Sequence, residues 1–294
     1  MDNQKELELE ITNYTDVFVG MLDIMGFSTL GKKNSHDSLL NLYGMFLSAI
    51  QQAQHITHYE NSSNVSINFK FISDSILIWS ENDSIEDFKY IVYSIKNILY
   101  VGASMGLPLR GNLTHGDIGV FNNKYELGGN SILINEHNVI VGKTLIEVYE
   151  ESNTLVFAGC TVNNKCFKVI RKQHDNKPRK KQYINFVEAL TVYKNWSVEF
   201  KIKTNNGTEY IKKKQTVIPY HHNISDEFRQ LKKVKQMFKA HKKNVDSPHV
   251  QKMIINTTDM YKNLKIYNEE IHPFYKWLIK DQNKKMNQDS IKEF

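Results

Sequence analysis

The hydrophobic pattern in the first half of the chain alternates between the spacings of strands and of helices. A near-continuous apolar run at 17–23 predicts a central strand. Asn34 or Ser35 is placed to cap a helix with one apolar face. The residues of that face are Leu39, Leu42, Tyr43, Phe46, Leu47 and Ile50. The segment 66–80 then predicts two short strands that form a hairpin, with Asp74 at its tip.

A second helix and further strands follow. The sequence "SIED" at 84–87 is a capping box and predicts a helix that Gly106 and Pro108 end. The stretch "LRGNLTHGDIGVF" at 109–121 predicts a strand, a glycine turn and another strand, with His115 as an ordinary polar surface residue in the turn. The order through residue 121 is therefore β-α-β-β-α-β, which predicts an α/β (α+β) fold with a ferredoxin-like core.

The second half of the chain has a different pattern. The sequence "VGKTLIEVYEES" at 141–152 predicts a short helix that starts near a glycine, and "LVFAGCTVNN" and "CFKVIRK" within 155–172 predict strands. The basic stretch 171–182 predicts a loop, and Asn206-Gly207 predicts a hairpin within 196–213. Residues 224–282 predict helices, with Ser225 as a cap. This half is an addition to the sheet, a dimerisation arm, or both.

Composition narrows the class of protein. Of the 294 residues, 40% are hydrophobic and 24% are charged, as in soluble globular proteins, and no apolar run approaches the ~20 residues of a membrane-spanning helix. The acidic, polar N-terminus is unlike a secretory signal, so we expect a cytoplasmic protein. Cys160 and Cys166 predict two free, buried thiols. The net charge of +6, with its excess of basic residues after 165, favours anionic ligands.

Two carboxylates are the candidate chemistry. Asp23 ends the first strand and Asp74 lies at the hairpin tip, so this topology predicts that both lie at one end of the sheet. Adjacent carboxylates repel one another, and divalent ions that also grip a triphosphate would relieve the repulsion. Gly26 and the N–H groups of residues 24–28 can approach phosphate oxygens closely. The alternative is that Asp23 caps a turn and Asp74 is a solvated turn residue.

Four short motifs resemble a known family. "LDIMGFS" and "KFISDS" are similar to the two metal-binding segments of class III nucleotide cyclases. "LRGNLTHGDI" resembles that family's arginine–glycine strand and turn, and "VGKTLIEVYE" resembles the start of its last catalytic helix. The resemblance spans residues 16–155, and its motifs occur in the family's order. It implies that residues 1–165 form a nucleotide cyclase catalytic core and that 166–294 form a C-terminal extension packed on the core and the dimer interface.

The resemblance also implies a role for individual residues. Asp23 and Asp74 would hold two Mn²⁺ or Mg²⁺ ions, with the carbonyl of Ile24 as a further ligand. Gly26 and Phe27 would lie against the triphosphate, and Arg110 would pair with phosphate oxygens through its planar fork. The implied reaction is attack of the ribose 3′-hydroxyl on the α-phosphorus, with release of pyrophosphate.

Several positions depart from the family pattern. Ile146 and Glu150 stand where the family has its transition-state Asn and Arg, so another cation would have to serve. Lys143 is a candidate, although the sequence favours the simpler interpretation of a solvated lysine at the helix start. Ser73 stands where the family has Gly, and Lys70 matches the lysine that reads adenine in adenylate cyclases.

The pyrimidine cyclases of the bacterial Pycsar antiphage systems share these departures, and the chain resembles them most. That resemblance implies a cytoplasmic homodimer that makes cyclic CMP or cyclic UMP from CTP or UTP, which a separately encoded effector then reads. Phe69, Lys70 and Phe71 precede the second aspartate, and the bulk of the aromatic residues predicts a smaller pocket that prefers a pyrimidine to a purine. The choice between CTP and UTP stays open at this point.

Other classes of function remain alternatives. Lys70 favours an adenylate cyclase, and Ile146 and Glu150 favour a catalytically inactive cyclase-like sensor. The basic runs "RKQHDNKPRKK" and "QLKKVKQMFKAHKK" would suit nucleic acid, but they lack interleaved aromatic residues, so we expect no stable nucleic-acid partner. The 11 histidines show no metal-binding spacing.

Overall fold

Strands and helices alternate in a computed structural model that describes residues 9–61, 66–123, 137–175, 197–203, 210–218, 229–242 and 245–262. The strands are β1 (Leu9–Ile24), β2 (Ile67–Ile72), β3 (Ser75–Ser80), β4 (Leu109–Asn123), β5 (His137–Val141), β6 (Gly159–Val162), β7 (Ser197–Lys203) and β8 (Tyr210–Ile218). The helices are α1 (Phe27–Lys33), α2 (His36–Asn61), α3 (Ile85–Ser104), α4 (Lys143–Thr154), α5 (Asn164–Asp175), α6 (Leu231–Lys239) and α7 (residues 248–262). A 3₁₀ turn at Ala240–Lys242 follows α6.

The first four strands lie in the order β2-β3-β1-β4, and each neighbouring pair is antiparallel. Together with the helices between them, this order confirms the predicted ferredoxin-like βαββαβ core. The sheet then continues through β6, which is parallel to β4, to β8 and β7. The strands of the second half are therefore an addition to the same sheet, while β5 pairs with the far end of β4.

The two faces of the sheet are covered by different helices. The larger hydrophobic cluster lies on one face, where β1 side chains such as Phe18 and Leu22 pack with residues of α2, α3, α5, α6 and α7. The smaller cluster lies on the other face, where Val17, Val19 and Ile118 pack with Val148 of α4. Because β1 is buried on both faces, its sequence is apolar at consecutive positions.

The local start and stop signals act as predicted. The Ser35 hydroxyl accepts a hydrogen bond from the Ser38 N–H, so Ser35 caps α2. The Ser84 hydroxyl accepts a hydrogen bond from the Asp87 N–H and caps α3. Helix α3 ends at Ser104, just before Gly106, as expected. Helix α1 between the first strand and α2 was not predicted.

The prediction of a glycine turn within 109–121 is wrong. β4 runs unbroken because it pairs with β1 along nearly its whole length, and those ladder hydrogen bonds override the weak strand preference of glycine. Gly116 has a packing role instead, since a Cβ there would lie 2.4 Å from the Thr144 hydroxyl of α4. His115 is not a surface residue, because only 10% of its side chain is exposed and its ring packs edge-on against Phe18.

The prediction of a strand at 166–172 is also wrong, since these residues belong to helix α5. Cys166 and Ile170 are fully buried at a helical i, i+4 spacing, so packing against the large cluster selects the helix. Residues 171–175, predicted as part of a loop, extend α5.

Other predictions for the second half are confirmed or fall outside the described residues. The 196–213 hairpin is confirmed by the pairing of β7 with β8, although Asn206-Gly207 lies outside the described residues. Ser225 and residues 263–282 of the predicted helical region also lie outside the described residues. Within that region, the structure describes the helices α6 and α7. Cys160 and Cys166 are free and buried, as predicted. In the described part of the chain, no helix is both long and apolar enough to span a membrane.

Candidate active site

Asp23 lies at the end of the central strand, where three strands meet. Its register partners are Ser75 on β3 and Arg110 on β4, so the position of its carboxylate is fixed from both sides by backbone pairing. The side chain is 18% exposed. The sequence folds this way because the apolar run of β1 must be buried, which leaves the first polar residue at the rim of the core.

Asp74 occupies the tight turn between β2 and β3, beside the tip of β1. Its carbonyl accepts a hydrogen bond from the Ile24 N–H at 2.9 Å, which ties the turn to the residue after Asp23. Ser73 has a φ of +56°, the left-handed region that a non-glycine residue rarely adopts. The structure thus brings the two predicted aspartates together.

The electrostatics of Asp23 reflect this neighbourhood. Burial is the largest effect and raises the pKa of the Asp23 carboxyl above its ordinary value. The positive charge of Arg110 lowers that pKa, whereas the like charge of Asp74 and a close contact with its carboxyl raise it again. Because burial is the main cause of this rise, a cation bound beside the ionised carboxylate would offset the cost of burying its charge.

Tyr43 is a site residue that the sequence pattern did not distinguish from the apolar stripe of α2. Its hydroxyl donates a hydrogen bond to the Ser73 carbonyl at 3.1 Å, and its ring meets the ring of Phe27 edge-on, with centroids 5.7 Å apart. Burial, followed by the charges of Asp74 and Asp23, raises the pKa of the Tyr43 phenol. The sequence offers only one signal for this role of Tyr43, which is that an aromatic residue with a hydroxyl group lies one helical turn after Leu39.

Arg110 is anchored at two places. Its Nε atom donates to Asp23 Oδ2 at 3.2 Å, and its Nη2 atom is also 3.2 Å from that oxygen. On the other side, Nη2 donates to Asn153 Oδ1 at 2.8 Å, while Nη1 lies 3.4 Å from the Asn153 carbonyl and 3.3 Å from that of Leu155. The C-terminal end of α4 therefore holds the guanidinium beside the carboxylate.

The predicted phosphate-binding turn at 24–28 is partly used by the fold itself. The N–H groups of Ile24 and Met25 donate to the carbonyls of Asp74 and Pro108. Gly26 has a φ of +78° and precedes α1, where the first backbone N–H groups of a helix have no intrahelical acceptor. The amides of residues 26–28 are therefore the remaining candidates for a phosphate contact.

The remaining predicted residues lie around this centre at different depths. Phe69 packs against the large cluster, on the face of β2 that points to the core, while Phe71 is 37% exposed close to the turn. Lys70 pairs with Leu77 in register, so its side chain belongs to the opposite face of the sheet. On α4, Ile146 is 60% exposed, and Lys143 and Glu150 are exposed as well.

The donor set suits a hard divalent ion. Asp23 and Asp74 supply two carboxylates, and Mg²⁺-type sites in nucleotide enzymes typically combine one or two carboxylates with waters and substrate phosphates. Among the described residues, no group of three or more His, Cys, Asp or Glu side chains forms a ready-made metal cage. The residues therefore fit a site that the substrate helps to complete.

Comparison with known proteins gives structural likenesses only. No family model matches the chain, and no curated protein matches it. The catalytic core of a rhodopsin-guanylyl cyclase in complex with ATPαS superposes with a TM-score of 0.44 at 14% identity, covering 71% of this chain and 97% of that one. The guanylate cyclase domain of RhGC from Catenaria anguillulae, in complex with GTP, gives 0.43 at 12% identity, covering 70% and 97%.

A class III adenylyl cyclase-like ATP-binding protein from Pseudomonas aeruginosa gives a TM-score of 0.40 at 14% identity, covering 61% of this chain and 41% of that one. These scores carry no weight for function, and the fold is defined by the strand order described above.

Proposed function

We propose that this protein is a nucleotide cyclase that converts CTP or UTP to the 3′,5′-cyclic monophosphate and pyrophosphate. The observation that carries the proposal is the pairing of Asp23 with Asp74 at the tip of β1, with Arg110 against Asp23. Two like charges beside one bound guanidinium form a centre that favours a cation and, through it, a triphosphate. The motif resemblance of residues 16–155 gives the same reaction class.

In this reaction the 3′-oxygen forms a bond to the α-phosphorus, the bond from that phosphorus to the bridging oxygen breaks, and the hydroxyl proton passes to water. Asp23, Asp74 and the Ile24 carbonyl would hold two Mn²⁺ or Mg²⁺ ions, which supply charge stabilisation for the attacking and leaving oxygens. Residues 26–28 would orient the phosphates with backbone N–H groups, and Arg110 would pair with a phosphate oxygen.

The preference for a pyrimidine is supported by the aromatic groups at the centre. Phe27 and Tyr43 meet edge-on, Tyr43 lies near the charges of Asp74 and Asp23, and Phe71, three residues before Asp74 in the chain, is 37% exposed. In this proposal their bulk would limit the space for a base, and forcing an extra ring into filled space costs about 1–3 kcal/mol. Since ~1.4 kcal/mol is tenfold in affinity, this is worth roughly a 5- to 100-fold preference for the smaller base.

The active assembly in this proposal is a cytoplasmic homodimer with two equivalent sites. The support is the exposed outer side of α4, where Ile146 and Tyr149 are 60% and 53% exposed. In a head-to-tail dimer, this side of α4 would cover the active site of the partner subunit. Lys143 would then take the role of the Asn and Arg that Ile146 and Glu150 replace. Light scattering at working concentration tests the assembly, and a monomer that remains active on dilution would contradict it. The cyclic product would act on a separately encoded effector in antiphage defence.

One experiment separates the candidate activities. The purified protein is incubated with Mn²⁺ and each of the four labelled ribonucleoside triphosphates, and the products are resolved by chromatography. Cyclic CMP or cyclic UMP as the main product supports the proposal. Cyclic AMP as the main product would overturn the pyrimidine assignment and favour the adenylate cyclase that Lys70 suggests.

A second candidate is a catalytically inactive cyclase-like sensor. The observation that favours it is the pair Ile146 and Glu150, neither of which can donate the side-chain hydrogen bonds of the Asn and Arg expected at those positions. If no triphosphate yields a cyclic product while Mn²⁺ and nucleotide still bind, this candidate takes the place of the enzyme.

A further inference from the structure

All three nitrogen atoms of the Arg110 guanidinium donate hydrogen bonds, and Nη2 is also in ion-pair contact with Asp23. An arginine side chain carries five N–H donors in a fixed fork. Here the contacts of Nε, Nη1 and Nη2 go to the Asp23 carboxylate on one side and to Asn153 and Leu155 on the other, at 2.8–3.4 Å. The side chain is 19% exposed, so water competes weakly for these donors.

The two sides of the guanidinium differ in kind. The Asp23 side receives the edge formed by Nε and Nη2, which is the edge that binds carboxylate or phosphate in a bidentate manner. The opposite side meets the end of α4, where the last carbonyls of a helix lack intrahelical donors and favour a cation. The Asn153 side chain adds the shortest contact of the set, 2.8 Å to Nη2.

The anchor at the end of α4 is itself firmly held. Leu155, Val156 and Ala158 are at most 2% exposed. The Val156 carbonyl accepts a hydrogen bond from the Asn256 amide at 3.3 Å, and the Ala158 N–H donates to the Thr257 hydroxyl at 2.9 Å. Both partners belong to α7, so the segment after α4 is fixed between the site and the C-terminal helix.

We infer that Asn153 is a positioning residue for a triphosphate, acting through Arg110. The inference rests on the proposed function. Asn153 and the Leu155 carbonyl keep the guanidinium in place, so that its Nε/Nη2 edge faces Asp23. Once Asp23 has another cation as its partner, the same edge is available to a phosphate oxygen without rearrangement of the side chain. A preorganised arginine loses less conformational entropy on binding, and this gain is independent of the base.

The test uses inorganic tripolyphosphate with Mn²⁺ as a probe that has no base, and calorimetry on the full chain. Replacing Asn153 by Ala removes one charge-assisted hydrogen bond, so we expect the dissociation constant of tripolyphosphate to rise about tenfold. Asn153→Ser, whose side chain is too short to reach Nη2, should show the same loss. The matched control is Asn34→Ala, which removes two side-chain hydrogen bonds to the Leu30 and His241 carbonyls and should leave the affinity unchanged.

A double-mutant cycle separates positioning from general damage. In the Arg110→Ala background, Asn153→Ala should cause no further loss of tripolyphosphate affinity, because its effect passes through the guanidinium. Wild-type affinity in Asn153→Ala, or a loss that adds to that of Arg110→Ala, would overturn the inference. Binding of Mn²⁺ alone, measured by electron paramagnetic resonance, tests the proposed function separately. If the wild-type chain binds neither Mn²⁺ nor tripolyphosphate, the proposed function and the inference fall together.

Discussion

Asp23 and Arg110 are direct register partners on the adjacent strands β1 and β4, and their side chains meet with Nη2 of Arg110 3.2 Å from Oδ2 of Asp23. The two residues are far apart in the chain, so the contact depends on how closely the backbones of β1 and β4 approach. The next residue of β4, Gly111, lies against β1 at that point. A Cβ on Gly111 would lie 2.3 Å from the Met21 carbonyl oxygen and 2.4 Å from Cδ2 of Leu22.

Gly111→Ala should therefore destabilise the protein and open the Asp23–Arg110 contact. Relief of the clash requires the two strands to separate, and overpacking of this kind costs about 1–3 kcal/mol. Urea unfolding measures the loss. The control is Gly44→Ala on α2, where an added Cβ meets nothing within 4 Å, so the better helix propensity of alanine should stabilise by about 0.5–1 kcal/mol. Equal stability of the two variants would contradict the packing argument.

Replacing either candidate metal-binding aspartate should abolish cyclic nucleotide formation without unfolding the chain. Asp74→Asn keeps the size of the side chain but removes one of the two negative charges, so Mn²⁺ binding should be lost along with turnover. The exposed Asp37 on α2 provides the control, since Asp37→Asn changes the net charge equally but lies in the first turn of a helix. Near-wild-type turnover of Asp74→Asn with Mn²⁺ would show that the two-metal assignment is wrong.

The raised pKa of Asp23 predicts a pH dependence of stability in the absence of divalent ions. Between the ordinary value of about 3.9 and the raised value, the folded chain binds more protons at Asp23 than the unfolded chain does. The free energy of unfolding should therefore fall as pH rises through that range, and the loss should be complete above the folded pKa.

The measurement is chemical unfolding of wild type and Asp23→Asn at a series of pH values. The difference between the two proteins separates the effect of Asp23 from that of Asp87, because the pKa of Asp87 is also raised by burial. Asp23→Asn should lack the part of the fall in unfolding free energy that Asp23 causes. Parallel plots of unfolding free energy against pH for the two proteins would contradict the prediction.

Tyr43→Phe should loosen the turn that carries Asp74. The substitution removes the hydrogen bond to the Ser73 carbonyl and retains the edge contact with Phe27, so the stability loss should be about 1 kcal/mol. Because Ser73 holds a left-handed φ, the turn should relax, and Mn²⁺ affinity should drop several-fold. Tyr14→Phe, at a ring that meets Trp79 on the other face of the sheet, is the control. Unchanged Mn²⁺ affinity in Tyr43→Phe would exclude this role.

Much of the fold was predictable because its signals are local. The apolar run of β1 and the stripes of α2 and α3 report burial at a fixed period. Ser35 and Ser84 cap their helices through hydrogen bonds to residues three positions away. The predicted hairpin and the β-α-β-β order then suffice to place Asp23 and Asp74 at the same end of the sheet. The sequence by itself thus determined the core topology and the two candidate carboxylates.

Tertiary structure decided the features that depend on distant partners. β4 continues through Gly116 because β1 pairs along its length, and 166–172 is helical because Cys166 and Ile170 pack into the core. Tyr43 belongs to the site only because α2 passes over the Ser73 carbonyl. Arg110 meets Asn153 and Leu155 only because α4 ends beside β4. The Tyr43–Ser73 contact joins residues 30 positions apart, and the Arg110–Asn153 contact joins residues 43 positions apart. These contacts form because packing of the helices brings a donor within reach of an acceptor. No local spacing in the sequence encodes that proximity.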